Sequence, residues 1–297
     1  MSSAGWRFCL LAAALVLAAF GARAASDAEP ATALRSDYER LSEPLQKNPF
    51  ERPLVLYSLE TTEGLQGDIY AVVAYPFSTV STGLKNPSNW CEVMILHINT
   101  KYCHAVTEPT GTVLRVHIGK KTPQKLADAA RVNFQYNQTA ATPGYFAITL
   151  KAKDGPLGTN NYLIQLEVVE ISKTKSFLHL TYSYGVGLAG RIAMQAYLAT
   201  VGAGKVGFTL VDQADNGGEP DFVTGVRGVV ERNTMRYYLA IDSFLASQSE
   251  SPSAQLEKRL QTWFTAVEHY PRQLHEVDRP AYLEMKRAEV IRQQSVP

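Results

Sequence analysis

Cysteine is scarce in this 297-residue chain, with three in all, too few for a disulfide-framed miniprotein. Excess charge of either sign is also missing. The 29 basic residues face 28 acidic ones, which excludes the broad basic surface that nucleic acid requires. Beyond residue 24 no apolar run reaches the ~18 residues of a membrane-spanning helix. What is plentiful excludes disorder: 45% of residues are hydrophobic and 10% aromatic, enough to bury a large core. The length allows one or two domains. No set of histidines, cysteines and carboxylates has the spacing of a catalytic or metal centre, so no catalytic residue, metal or cofactor is assigned.

The first 24 residues, MSSAGWRFCLLAAALVLAAFGARA, read as a secretory signal. Arg7 supplies the positive start, Cys9 to Phe20 the apolar run, and Ala22-Arg23-Ala24 the small-residue cleavage site. Cleavage after Ala24 and export to a bacterial periplasm are expected. Losing Arg7 and Arg23 leaves 27 basic against 28 acidic residues, a formal charge of −1. Cys91 and Cys103 then remain. In an oxidising compartment their default is a disulfide, which closes a short loop and stabilises by about 3 kcal/mol. A metal site with His97, His104 and His117 competes, although C-x11-C lacks the tight pairing of structural zinc motifs; free thiols are the third alternative.

The mature chain begins with a polar stretch and a helical pattern over 34–47, together an N-terminal segment 25–51. Period-two alternation follows. Ile69, Ala71 and Val73 share a face in 66–74, and Leu114, Val116 and Ile118 in 113–118. The same holds for Val132, Phe134 and Tyr136 in 131–136, and for Phe146, Ile148 and Leu150 in 144–151. It recurs with Ile164, Leu166 and Val168 in 162–169, and with Leu178, Leu180, Tyr182 and Tyr184 in 176–184. Val206, Phe208 and Leu210 suggest a last strand over 206–211. Alternating faces joined by Gly-, Pro- and Asn-bearing turns predict a mostly antiparallel sheet with one buried side. Helices are expected near 77–85, 88–96 and 189–201.

A long helix over 222–246 carries an apolar stripe from Val226, Val229, Val230, Tyr237, Ile241, Phe244 and Leu245. Glu231 and Arg232 are placed on its wet side. A helical extension, 249–297, carries two charged helices at about 254–269 and 279–294, whose mixed charge predicts solvated faces.

The order of elements resembles the START-like (SRPBCC) helix-grip superfamily of hydrophobic-ligand binding proteins. Gly67-Asp68-Ile69-Tyr70-Ala71-Val72-Val73, Pro76-Phe77 entering a helix, Leu84 with Asn86-Pro87-Ser88-Asn89-Trp90, and Gly207-Phe208-Thr209 carry the likeness, which spans roughly 52–248. It implies an α+β fold in which a curved antiparallel sheet wraps the long helix, with a lipid or other hydrophobic small molecule in the gap. By their facing, Phe134, Tyr136, Phe146, Ile148, Leu166, Leu180, Tyr182, Tyr184, Phe208, Tyr237 and Phe244 are expected as pocket wall. Asn233 and Arg236 are the candidates to hold a headgroup. Loops 138–144, 153–161 and 212–221 are candidate gates. Transient membrane contact, or a protein partner on the 254–294 helices, fits the same reading. An enzyme on this scaffold (a hydrolase or cyclase) and an interaction protein without a pocket are the alternatives.

Gly185-Val186-Gly187-Leu188-Ala189-Gly190 matches the dinucleotide-binding spacing. Its preceding strand alternates polar and apolar residues, whereas a central parallel strand is apolar on both faces. No helices separate the neighbouring strands. It is read as a glycine turn leading into a helix.

Overall fold

A computed structural model describes residues 29–200, 202–212 and 220–295; the expected signal segment and most of the 212–221 loop lie outside them. Helix α1 (29–40) and α2 (Ser42–Gln46) lead into the hairpin β1 (Leu54–Glu60) and β2 (Gly64–Val73). Two short helices follow, α3 (Phe77–Leu84) and α4 (Pro87–Met94). A meander comes next: β3 (Thr100–Glu108), β4 (Gly111–Ile118), β5 (Ala130–Thr142), β6 (Tyr145–Asp154), β7 (Thr159–Ser172) and β8 (Lys175–Val186). Helix α5 (Leu188–Ala199), the short pair β9 (Leu210–Asp212) and β10 (Asp221–Phe222), and the long α6 (Gly225–Ser247) complete the grip. The chain ends in α7 (Pro252–Glu268), α8 (Pro271–Leu274) and α9 (Arg279–Ser295).

The main sheet has eight strands in the order β1-β2-β8-β7-β6-β5-β4-β3, every pairing antiparallel. Period-two residues land as their alternation requires. Ile69 pairs with Leu180 and Ala71 with Leu178, all four at or near zero exposure on the inner face. Bulges at Gln138/Ala140 and Asn160/Leu163 bend the strands. Helix α6 lies on this face against β1, β2 and β8. It comes so near β2 that a Cβ on Gly67 would sit 2.2 Å from Thr234 Oγ1. Each large apolar side chain enclosed here, such as Val230, Tyr237 or Ile241, contributes roughly 1.5–3 kcal/mol. The Pro-aromatic and Pro-Trp signals mark real helix starts. Asn86 caps α4 by accepting from Ser88 N, and buried Trp90 donates to Leu84 O at 2.8 Å.

Two strands are not announced by alternation in the sequence. In β1, Leu54, Val55 and Leu56 are all buried, and in β3 Thr100, Lys101, Tyr102 and Cys103 are. Both faces are covered there, by α6 and α2 or by α4 and α9, so the period-two signal is lost.

Three expectations are corrected. The 206–211 strand is absent from the sheet. Gly207 N instead donates to Val223 O, and Phe208 N and Thr209 N donate to the Glu231 carboxylate at 2.6 and 3.0 Å. Glu231 and Arg232 are therefore not on a wet side. Glu231 has zero exposure and also accepts from the hydroxyls of Ser58 and Thr209. The charged faces of the last helices are not all solvated either. Lys286 and Glu289 of α9 are buried with Lys101 of β3, the carboxylate accepting from both ammoniums at 2.8 and 3.0 Å. Lys286 also donates to His97 O and Thr100 O, and burial pushes it down to about 8. With Trp263 stacked on Tyr282 at 4.9 Å, this seats α7 and α9 on the domain.

The outer face of the sheet is partly covered by α1 and α2, with Leu34, Leu41 and Leu45 packed on Val55, Tyr145, Ala147, Val169 and Phe177. Beside this patch His179 lies between Asp68 (Nε2 to Oδ1, 2.9 Å) and Glu167 (Nδ1 to Oε2, 3.4 Å), under the stacked ring of Tyr70. Burial opposes the charged imidazole, but its bonds to the two carboxylates outweigh this and push it up to about 9 from its ordinary 6.5. The folded state therefore binds this proton more tightly than the unfolded one. Its stabilisation is complete below pH 6.5 and is lost as pH rises through about 9. Urea-unfolding stability should fall more steeply between pH 7 and 9 in the wild type than in His179→Gln; parallel curves would refute the assignment.

Cys91 of α4 and Cys103 of β3 form a disulfide with a Cα separation of 5.1 Å. Thiol titration of the unfolded, unreduced protein lacking residues 1–24, and with them Cys9, should find no free thiol. The paired substitutions Cys91→Ala and Cys103→Ala should cost about 3 kcal/mol in urea unfolding.

Candidate functional site

Most of the space between sheet and α6 is filled. Phe134, Phe146, Ile148, Leu166 and Leu180 are fully buried in one cluster with Ile241 and Phe244. Phe77 meets Phe146 at 5.9 Å, and Phe244 fills the notch left by Gly83. The Tyr136 hydroxyl donates to Lys85 O at 2.6 Å. These expected wall residues are core on their own evidence of packing. Phe208 is misplaced altogether. Its ring lies against Phe50 (5.8 Å) and Tyr270 (5.4 Å), because the segment that bears it is pinned to Glu231 instead of joining the sheet.

The gap stays open at one end, as a cleft of about 200 Å³. Its sheet wall is a tyrosine cluster. Tyr162 stacks on Tyr184 at 5.3 Å, Tyr184 meets Tyr182 at 5.6 Å, and Tyr237 of α6 backs Tyr182 at 5.2 Å. The lid wall is α5, with Ala193 and Met194 facing the cleft. It sits close on the 156–158 turn because position 190 is glycine: a Cβ there would lie 3.0 Å from Gly158 O. The helix wall is Val229, Arg232, Asn233 and Arg236 of α6, and Asn99 and Lys121 close the inner end. Tyr182, Tyr184, Asn233 and Arg236 are thus the expected site residues that the fold brings together on one cleft.

The mouth is apolar and strained. Leu157 is 76% exposed and holds a left-handed backbone with φ of 57°, which costs a non-glycine residue roughly 1–2 kcal/mol. Ile192 of α5 is also exposed. The candidate gate 153–161 therefore borders the cleft, whereas 138–144 forms the bulged hairpin between β5 and β6.

The inner end is polar. Arg236 and Lys121 both reach Glu276 Oε1, at 2.7 and 2.6 Å, and Lys205 approaches Oε2 at 3.7 Å. Burial opposes ionisation of Glu276, but the charges of Arg236 and Lys121 prevail and hold its carboxyl below the usual range. Burial pushes the phenols of Tyr182, Tyr184 and Tyr237 up, so each stays protonated. Asn99 Oδ1 is buried with no hydrogen-bond partner among the described residues. No group of three or more His, Cys, Asp and Glu residues that could hold a metal is present among the described residues.

Sequence reading missed Tyr162, Arg232, Lys121 and Asn99, whereas the 156–157 tip lies in the expected 153–161 gate. Tyr162 shares the parity of Ile164 and Leu166 and was open to discovery. Arg232 was not, because its burial depends on elements far away in the chain.

No family model matches the chain, and no curated protein matches its sequence. Among solved structures, similar chains include human StAR-related lipid transfer protein 5, at 10% identity over 59% of this chain and 90% of that one, TM-score 0.32. The Zhui aromatase/cyclase from Streptomyces sp. R1128 aligns at 11% identity over 75% of this chain and all of that one, TM-score 0.31. Norcoclaurine synthase from Thalictrum flavum aligns at 12% identity over 50% and 78%, TM-score 0.31. These neighbours are SRPBCC helix-grip proteins. The likeness is one of fold, and the superpositions are too loose to carry a function across.

Proposed function

We propose that this is an exported binding protein that carries a lipid or other hydrophobic small molecule in the cleft between sheet and α6. The observation that supports it most is the tyrosine-walled gap left open at one end of an otherwise filled core. The open end argues against a protein that only scaffolds partners, and α7 and α9 spend their apolar sides on the domain itself. Catalysis on the same scaffold would need an acid or base poised near neutrality in the cleft. The described lining has no carboxylate, and Glu276 behind it is held ionised, which favours carriage.

A cleft of about 200 Å³ is smaller than the ~300 Å³ at which ligand pockets begin. A long chain therefore requires α5 and the 156–158 turn to move outward. The gain is large enough to drive this, since each buried methylene is worth about 0.8 kcal/mol. Exposed Leu157 gives the mouth an apolar edge suited to brief contact with a membrane, where a lipid could pass without crossing water.

Native mass spectrometry of the protein purified from its own envelope should show a non-covalent hydrophobic adduct; repeatedly empty protein would overturn the proposal. The neutral dye Nile red should bind with a blue-shifted emission. Ala193→Trp should abolish this while circular dichroism stays unchanged, because the indole fills the cleft. Leu157→Asp should slow dye uptake from phosphatidylcholine vesicles without weakening binding of dye already in solution; an unchanged rate would remove the rim from the account.

A further inference from the structure

Arg232 is the least explained group at the cleft. Its side chain belongs to a residue only 2% exposed and lines the open space. One guanidinium nitrogen donates to Val206 O at 3.0 Å. Among the described residues no carboxylate lies within 4.0 Å of it. The adjacent Glu231 does not serve, since its oxygens are taken by Ser58, Phe208 and Thr209. A guanidinium in such a place has lost water without gaining a counter-ion, and that arrangement is costly unless an anion completes it.

The surroundings point the same way. Lys121, Arg232 and Arg236 line the cleft with no acidic residue among the described lining. The hydroxyls of Tyr182 and Tyr184 make no hydrogen bond to a described protein group and stand on the same space, ready to donate. The opposite end is apolar, formed by Pro156, Leu157 and Met194. A molecule matching both ends has an oxyanion head and a hydrocarbon tail.

Building on the carrier reading, we infer that the cleft selects an anionic amphiphile, with Arg232 binding a carboxylate or phosphate headgroup from the helix wall and the tail leading out past Leu157. Planar guanidinium geometry suits either oxyanion.

The test uses the full mature chain and displacement of Nile red by decanoate, decyl phosphate and decan-1-ol at neutral pH. At least one anion should displace the dye at roughly tenfold lower concentration than the alcohol, and the tighter of the two names the headgroup. Arg232→Met should remove that preference while Nile red still binds, and Arg232→Lys should keep part of it. An alcohol that competes as well as both anions overturns the inference and leaves the carrier reading intact. A protein that binds neither dye nor any of the three ligands defeats the carrier reading itself. An anion preference that survives in Arg232→Met overturns the role of Arg232. Should Arg232→Met not fold, the wild-type selectivity and Arg232→Lys decide the matter.

Discussion

Enclosure of α6 is the constraint on which the remaining structure depends. A helix between a sheet and a second layer of helices has no side on which to leave a charge. Glu231, Arg232 and Arg236, at one and four residues' spacing, are all buried, so each must find a partner or face a cavity. Glu231 finds one in the backbone of 208–209 and thereby diverts that segment from the sheet. Arg236 finds Glu276, just beyond α8. Arg232 faces the cleft. The position of the site follows from this division of charges along one helix.

The two faces of the sheet solve the same problem differently. On the inner face apolar side chains from β1, β2 and β8 meet α6, and the polar groups withdraw to one end. On the outer face a charged row, Asp68, His179 and Glu167, is satisfied by its own neighbours, with Thr181, Gln66, Tyr145 and Gln165 donating to the carboxylates. That row is complete without a ligand, whereas the cleft is not. Completeness of partners distinguishes the two polar clusters here more sharply than depth does.

Much of the architecture was readable in the residues, and the failures share a cause. Strands wet on one side announced themselves through parity, as in Leu178-Leu180-Tyr182-Tyr184. Helices announced themselves through Pro76, Asn86-Pro87 and the α6 stripe. Failures occurred where tertiary burial overrides local pattern: β1 and β3, covered on both faces; Phe208, whose segment is claimed by a buried carboxylate; Glu231, Arg232, Lys286 and Glu289, charged residues that parity and composition assign to water. Of the expected wall, Tyr182, Tyr184, Asn233 and Arg236 meet on the cleft. Phe134, Phe146, Ile148 and Leu166 share the correct face but stand deeper, and facing alone cannot distinguish a lining residue from a filling one.

The disulfide gives the cleft walls unequal stiffness. Asn99 lies on the stretch of chain bracketed by Cys91 and Cys103, so this part of the inner wall belongs to a small covalent ring that the C-terminal helix also braces through Gln293. The opposite wall, α5 with the turn at Pro156–Gly158, has no crosslink and rests on close glycine contact. Any breathing of the cavity is thereby directed to a single side, the flank without a covalent tie.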